Sequence, residues 1–175
     1  MTAVHPGVPA TAGGSVEWPA DDAAWLARAV ELAVANVGAG GGPFGAVVVR
    51  AGALVAEGAN SVTRDNDPTA HAEVNALRAA GRALGTFDLG GTTLYSSCEP
   101  CPLCLSASLW ARVDRVVFAA DRTDAADAGF DDGEFYDRLA TERSTWSLPR
   151  VASLRIATAT LPFEHWSVHA TRVEY

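Results

Sequence analysis

The sequence predicts an α/β domain with a mixed sheet of five strands and helices on both faces. Three observations carry this reading. Short apolar runs rich in valine recur with turn residues between them, as in "AVVVR" and "ALVAEGAN". Longer segments place apolar residues at helical spacing. Finally, "TTLYSS", a helical run and "RVVFAA" follow one another as a βαβ unit, which makes those two strands parallel.

Residues 1–18 are small, Gly/Pro-rich and aperiodic, and are expected to form a flexible tail ahead of a single domain at 19–175. A first helix is expected from Asp21 or Asp22 to Val37. Either Asp can cap it, Leu26, Ala29, Val30, Ala33, Val34 and Val37 fall at helical spacing, and Gly38 is placed to end it. "GAGGGPFG" lacks the GxGxxG order and a following helix, so it reads as a close-approach turn into a strand, not a phosphate cradle. Ala51 and Gly52 join that strand to the next as a hairpin. A polar loop then leads to a second helix at about 70–83, with Asp67 or Thr69 as cap and Pro68 in its first turn. "TTLYSS", a third helix from Pro100 to Ala111 and "RVVFAA" follow. Residues 121–142 are acidic and helical or looped, "VASLRIATA" reads as the fifth strand, and "PFEHWSVHATRVEY" as a short helix and tail.

The composition narrows the function classes. The 175 residues carry a formal charge of −8, which repels phosphate backbones and argues against a nucleic-acid partner. All 13 basic residues are arginine, which excludes a Schiff-base lysine and a P-loop lysine. The N-terminus has no basic n-region or apolar h-region, and no apolar run approaches the roughly 20 residues of a membrane span. The three cysteines are clustered, so a reduced cytoplasmic setting is expected over a disulfide framework.

The chemistry concentrates in two motifs. His71 and Glu73 form H-x-E at one helix start; Pro100, Cys101 and Cys104 form P-C-x-x-C at another, and together they match the zinc deaminase signature. Zinc that activates water needs three protein ligands and one open position. Cys101 and Cys104 lie one helical turn apart, near an N-terminus whose partial positive charge favours thiolates. Glu73, two residues after His71, points away from the ligand's direction and is free to move protons. The competing arrangement is a closed structural site of His71, Cys98, Cys101 and Cys104. Against it, Cys98 precedes Pro100, off the helix face, and Glu73 would have no role. His165 and His169 lack a third ligand and read as surface residues.

On these motifs the sequence resembles the cytidine deaminase-like zinc deaminases, and more narrowly the bacterial guanine deaminases of that fold. "GGPFGAVVV", "NDPTAHAEVNALR", "LYSSCEPCPLC", "TDAADAGFDD", "PFEHW" and the terminal "EY" carry the likeness over about residues 20–175. The resemblance implies a three-layer α/β/α sandwich, one Zn²⁺ per subunit, and conversion of guanine to xanthine and ammonia by zinc hydroxide attacking C2. Guanosine, cytosine, aminopterin or triazine deamination is the alternative on the same scaffold, and tRNA adenosine deamination a further one. By that resemblance His71, Cys101 and Cys104 are the zinc ligands, Cys98 is not, and Glu73 is the proton shuttle. Asp132 is implied to read the purine and help move a proton. Phe44, Asn60, Ala72 and Trp110 are implied to contact the base, Trp110 as an aromatic wall. Tyr175 is implied to close a neighbouring subunit's site, through exchange of the segment at about 160–175 in a homodimer. From the residues alone, Phe44 and Trp110 read as core, Asp131 and Asp132 as a solvated turn, and Asn60 as a strand-end turn residue.

Overall fold

The computed structural model describes residues 20–174. The expected tail at 1–18 and Tyr175 lie outside these residues. Helix α1 spans Ala20–Gly38 and is followed by strands β1 (Gly45–Arg50) and β2 (Ala53–Ala59). A single helical turn, α2 (Val62–Asp65), precedes α3 (Ala72–Leu84), β3 (Thr92–Cys98), α4 (Pro102–Trp110) and β4 (Arg115–Ala120). Short helices α5 (Arg122–Asp127), α6 (Gly133–Leu139) and α7 (Leu161–Val168) follow, with a 3-10 turn at Arg143–Thr145 between the last two.

The sheet has four strands in the order β2-β1-β3-β4, not five. Strands β1 and β2 pair antiparallel, β1 and β3 antiparallel, and β3 and β4 parallel, so the βαβ expectation holds. The expected strand at 151–159 does not form: Leu154 and Ile156 are 89% and 60% exposed. A strand needs a neighbour for its backbone N–H and C=O groups, and these residues pair with none of the four.

Strand β1 is the centre. Alternation sends Ala46 and Val48 to one face, against Ala72, Ala76, Leu77 and Ala80 of α3, and Val47 and Val49 to the other, near Trp25, Leu26 and Leu32 of α1. Two glycines set how closely the helices approach. A Cβ on Gly45 would lie 2.4 Å from Ala29 O of α1, and one on Gly58 would lie 2.3 Å from Ala72 O of α3. The hairpin turn places Ala51 and Gly52 at φ of 50° and 75°. That pair of positive values belongs to the tight turn whose twist matches the strands it joins.

The expected caps shift. Asp22 bonds Tyr95 and Arg115 inside the domain. Asp67 accepts from Thr69 N–H at 2.8 Å and from its hydroxyl at 2.7 Å, closing a loop. The residue at the N-cap of α3 is His71 itself. Helix α4 begins at Pro102, two residues later than expected, with Cys101 as its N-cap. Proline suits a first helical position and biases the residue before it towards extended backbone, and Cys101 is extended at φ −63° and ψ 169°.

Candidate active site

His71 and Cys101 hold equivalent places, each an extended N-cap residue, on α3 and α4. Cys104 lies one turn into α4 and is fully buried. The three donors converge. His71 Nδ1 is 3.5 Å from each of Cys101 Sγ and Cys104 Sγ, and the sulfurs are 3.6 Å apart. For tetrahedral zinc, with Zn–S of about 2.3 Å and Zn–N of about 2.0–2.1 Å, the edges are about 3.8 Å between sulfurs and about 3.6 Å between sulfur and nitrogen. The observed triangle fits. Among the described residues no fourth imidazole, thiol or carboxylate joins the cluster, and Cys98 is outside it, its Sγ 3.6 Å from Asp121 O. This arrangement is the open set of three, not the closed Cys3His site.

Charge is organised for a cation. The hydrogen bond between Cys101 and Cys104, helped by His71, holds Cys101 down to about 4. The same hydrogen bond and burial push Cys104 up. The hydrogen bond to Cys101 also raises His71. A cation held here displaces these shared protons, and two helix N-termini add partial positive charge beside the thiolates.

Glu73 lies within the first turn of α3, only 6% exposed. Ser96 Oγ of β3 donates to its Oε1 at 3.1 Å. Burial pushes its carboxyl up, and a backbone hydrogen bond and the Ser96 hydroxyl offset only part of that shift. A carboxyl poised in this way both accepts and returns a proton.

His71 and Cys101 open on a cavity of about 310 Å³, within the size of small-ligand sites. Phe44, Asn60, His71, Glu73, Cys101 and Asp132 all line it. Asn60, at the end of β2, accepts from Val62 N–H through Oδ1 at 3.3 Å. Asn36 of α1 fixes Asn60 by donating to its carbonyl at 2.7 Å and to that of Gly42 at 2.8 Å. Asp132, at the N-cap of α6, makes no capping bond. Burial and the nearby Cys101 charge push its carboxyl up.

Two expected contacts fall elsewhere. Trp110 ends α4, 68% exposed, and lines a separate groove. Nine residues of helical rise put it about 13 Å along the axis from Cys101, so it is not a wall of this subunit's cavity. Ala72 packs its side chain in the core with Ala46 and Val48. The cavity also has walls that the sequence reading did not single out. Phe130 packs edge-on against Phe44 with centroids 5.1 Å apart, and Arg122 and Glu99 stand at the same cavity. Phe130 sits within "GFDD" and was within reach of the motif reading; Arg122 and Glu99 carried no motif signal.

Comparison with known proteins agrees with the geometry. Residues 19–120 match the family described as "Cytidine and deoxycytidylate deaminase zinc-binding region". The chain is 49% identical to guanine deaminase of Bacillus subtilis over 86% of this chain and 97% of that one. The X-ray structure of that protein superposes with a TM-score of 0.84 at 48% identity, covering 87% of this chain and 98% of that one. A guanine deaminase structure from Nitrosomonas europaea gives a TM-score of 0.61 at 35% identity over 75% and 78%. A tRNA-specific adenosine deaminase of Buchnera aphidicola is 40% identical over 59% of this chain and 68% of its own. The chain belongs to the cytidine and deoxycytidylate deaminase zinc-binding family, alongside the guanine deaminases, and is a zinc-dependent aminohydrolase.

Proposed function

We propose that this enzyme hydrolyses guanine to xanthine and ammonia. The observation that carries the reading is the buried Glu73 beside an open three-donor centre, in a chain that matches a guanine deaminase along nearly its whole length. His71, Cys101 and Cys104 would hold zinc, which would activate a water for attack. Glu73 takes the proton of that water and returns it to the departing amine. Asp132 accepts from guanine's ring N–H and amino donors, and its raised carboxyl suits it to exchange a proton as well. Asn60 bonds the acceptor edge, Phe44 packs on the ring face, and Ala72 contributes its backbone.

We further place the enzyme in the cytoplasm as a homodimer that exchanges its C-terminal segments. Three free thiols suit a reducing compartment, and no described helix is long and apolar enough to cross a membrane. Leu154, Phe163 and Val168 are 89%, 73% and 80% exposed, more apolar surface than one subunit has reason to leave in water. Exchange would bring Tyr175 of the partner subunit to the cavity. Zinc-loaded protein is assayed for ammonia release from guanine, guanosine, cytosine and an aminotriazine. Guanine is expected to be turned over fastest; equal or faster turnover of guanosine would move the assignment to the nucleoside.

A further inference from the structure

The segment from Asp121 to Leu139 carries Phe130 and Asp132 to the cavity, yet neither α5 nor α6 buries a single side chain. Something other than a core must hold it in register with the metal centre. Tyr136 lies one turn after Asp132 on the same helix face. Its hydroxyl donates to Pro100 O at 2.9 Å, next to the ligand Cys101. The Arg122 guanidinium stacks over the Tyr136 ring at 4.3 Å and pairs with Glu99, Nη2 to Oε1 at 2.6 Å and Nε to Oε2 at 3.3 Å. Arg122 N–H also donates to Glu99 Oε2 at 3.1 Å. Glu99 and Pro100 are the two residues between Cys98 and Cys101. The connection therefore closes on itself, from the metal loop through Glu99, Arg122 and Tyr136 back to Pro100.

We propose that Tyr136 is a positioning residue. It latches the α5–α6 segment to the metal loop and so fixes Asp132 and Phe130 over the cavity. The proposal rests on the reading of Asp132 as a base-contacting group. It explains the choice of side chains. A tyrosine offers a ring for the guanidinium and a hydroxyl for a backbone carbonyl, and phenylalanine would supply only the first. Among the described residues, Tyr136 is not one of the side chains packed against the core clusters, so the latch acts on the segment.

The test is Tyr136→Phe in the zinc-loaded full chain, with Arg122→Gln as a second variant that keeps the tyrosine hydroxyl. In both, zinc stoichiometry should be unchanged. Amides of α5 and α6 should exchange with solvent faster, while those of α3 and β3 keep their rates. KM for guanine should rise on the order of tenfold in Tyr136→Phe, the scale of one lost hydrogen bond, with a smaller change in kcat. In an Asp132→Asn background that KM effect should shrink to less than about twofold, because residues acting through one another are not additive. Unchanged exchange of α5 and α6, or an equal KM effect with and without Asp132, would overturn the latch. A silent Asp132→Asn variant in an enzyme that deaminates guanine would instead remove the reading of Asp132, and the exchange rates would still decide whether Tyr136 holds the segment.

Discussion

Glu73→Gln isolates the proton-shuttle step. The substitution keeps the shape and volume of the side chain, and the Ser96 hydroxyl 3.1 Å away can still donate to the amide oxygen. What is lost is a titratable group in a position only 6% exposed, where bulk water is poorly placed to substitute. General acid–base catalysis contributes about 10²–10⁴-fold, and the proposed shuttle both takes and returns a proton, so kcat should fall on the order of 10³–10⁴-fold. Zinc content, by metal analysis of the purified protein, should stay at that of wild type, because Glu73 is outside the donor triangle. The metal-free protein should be at least as stable as wild type at neutral pH. Burial raises the folded pKa of Glu73 above its ordinary 4.5. Any stability from this group is present below that value and lost as pH rises through the folded one. At pH 7, above that ordinary value, stability has already been lost to this titration, a cost the neutral amide does not carry. Less than a tenfold loss of kcat would refute the shuttle, and loss of zinc would make Glu73 a ligand.

The cysteines should divide two to one: Cys98→Ser should retain zinc at wild-type stoichiometry, whereas Cys101→Ser or Cys104→Ser should lose it on dialysis, as read by metal analysis. Tyr95→Phe should cost about 1.5–3 kcal/mol in denaturant unfolding, the value of a hydrogen bond to a charged group; its hydroxyl donates to buried Asp22 at 2.6 Å. Burial pushes Asp22 up, but bonds from Arg115 and Tyr95 more than reverse this and leave it below 3.8. Its stabilisation is therefore present above 3.8 and lost as pH falls through the lower folded value. The deficit of Asp22→Asn should shrink on acidification in that range, and a constant deficit would contradict the assignment. Gly58→Ala should lower stability and activity together, since the added Cβ would meet the α3 backbone at 2.3 Å, beside His71 and Glu73.

The features legible in the sequence are those fixed by short-range spacing. The ligand set could be read because H-x-E and P-C-x-x-C each sit within one helical turn, and a strand between them brings the two helix starts together. The hairpin at Ala51–Gly52 and the parallel β3–β4 pair were legible for the same reason. The fifth strand was misread because residues 151–159 have strand-like composition, but strand formation depends on a neighbour that sequence cannot supply. The caps moved because Asp22 and Asp67 had stronger partners, one in the core and one in its own loop. Phe130 and Arg122 come to the cavity from a later segment of the chain, and Trp110 lies outside it at the far end of α4.

The central claim is that the three-donor centre and Glu73 together add water to guanine and expel ammonia. Turnover of guanine in H₂¹⁸O by the zinc-loaded enzyme tests it most directly. One ammonia per xanthine, one ¹⁸O atom at C2 of the product, and loss of both products in Glu73→Gln are expected. Absence of xanthine, or xanthine without the label, would contradict it.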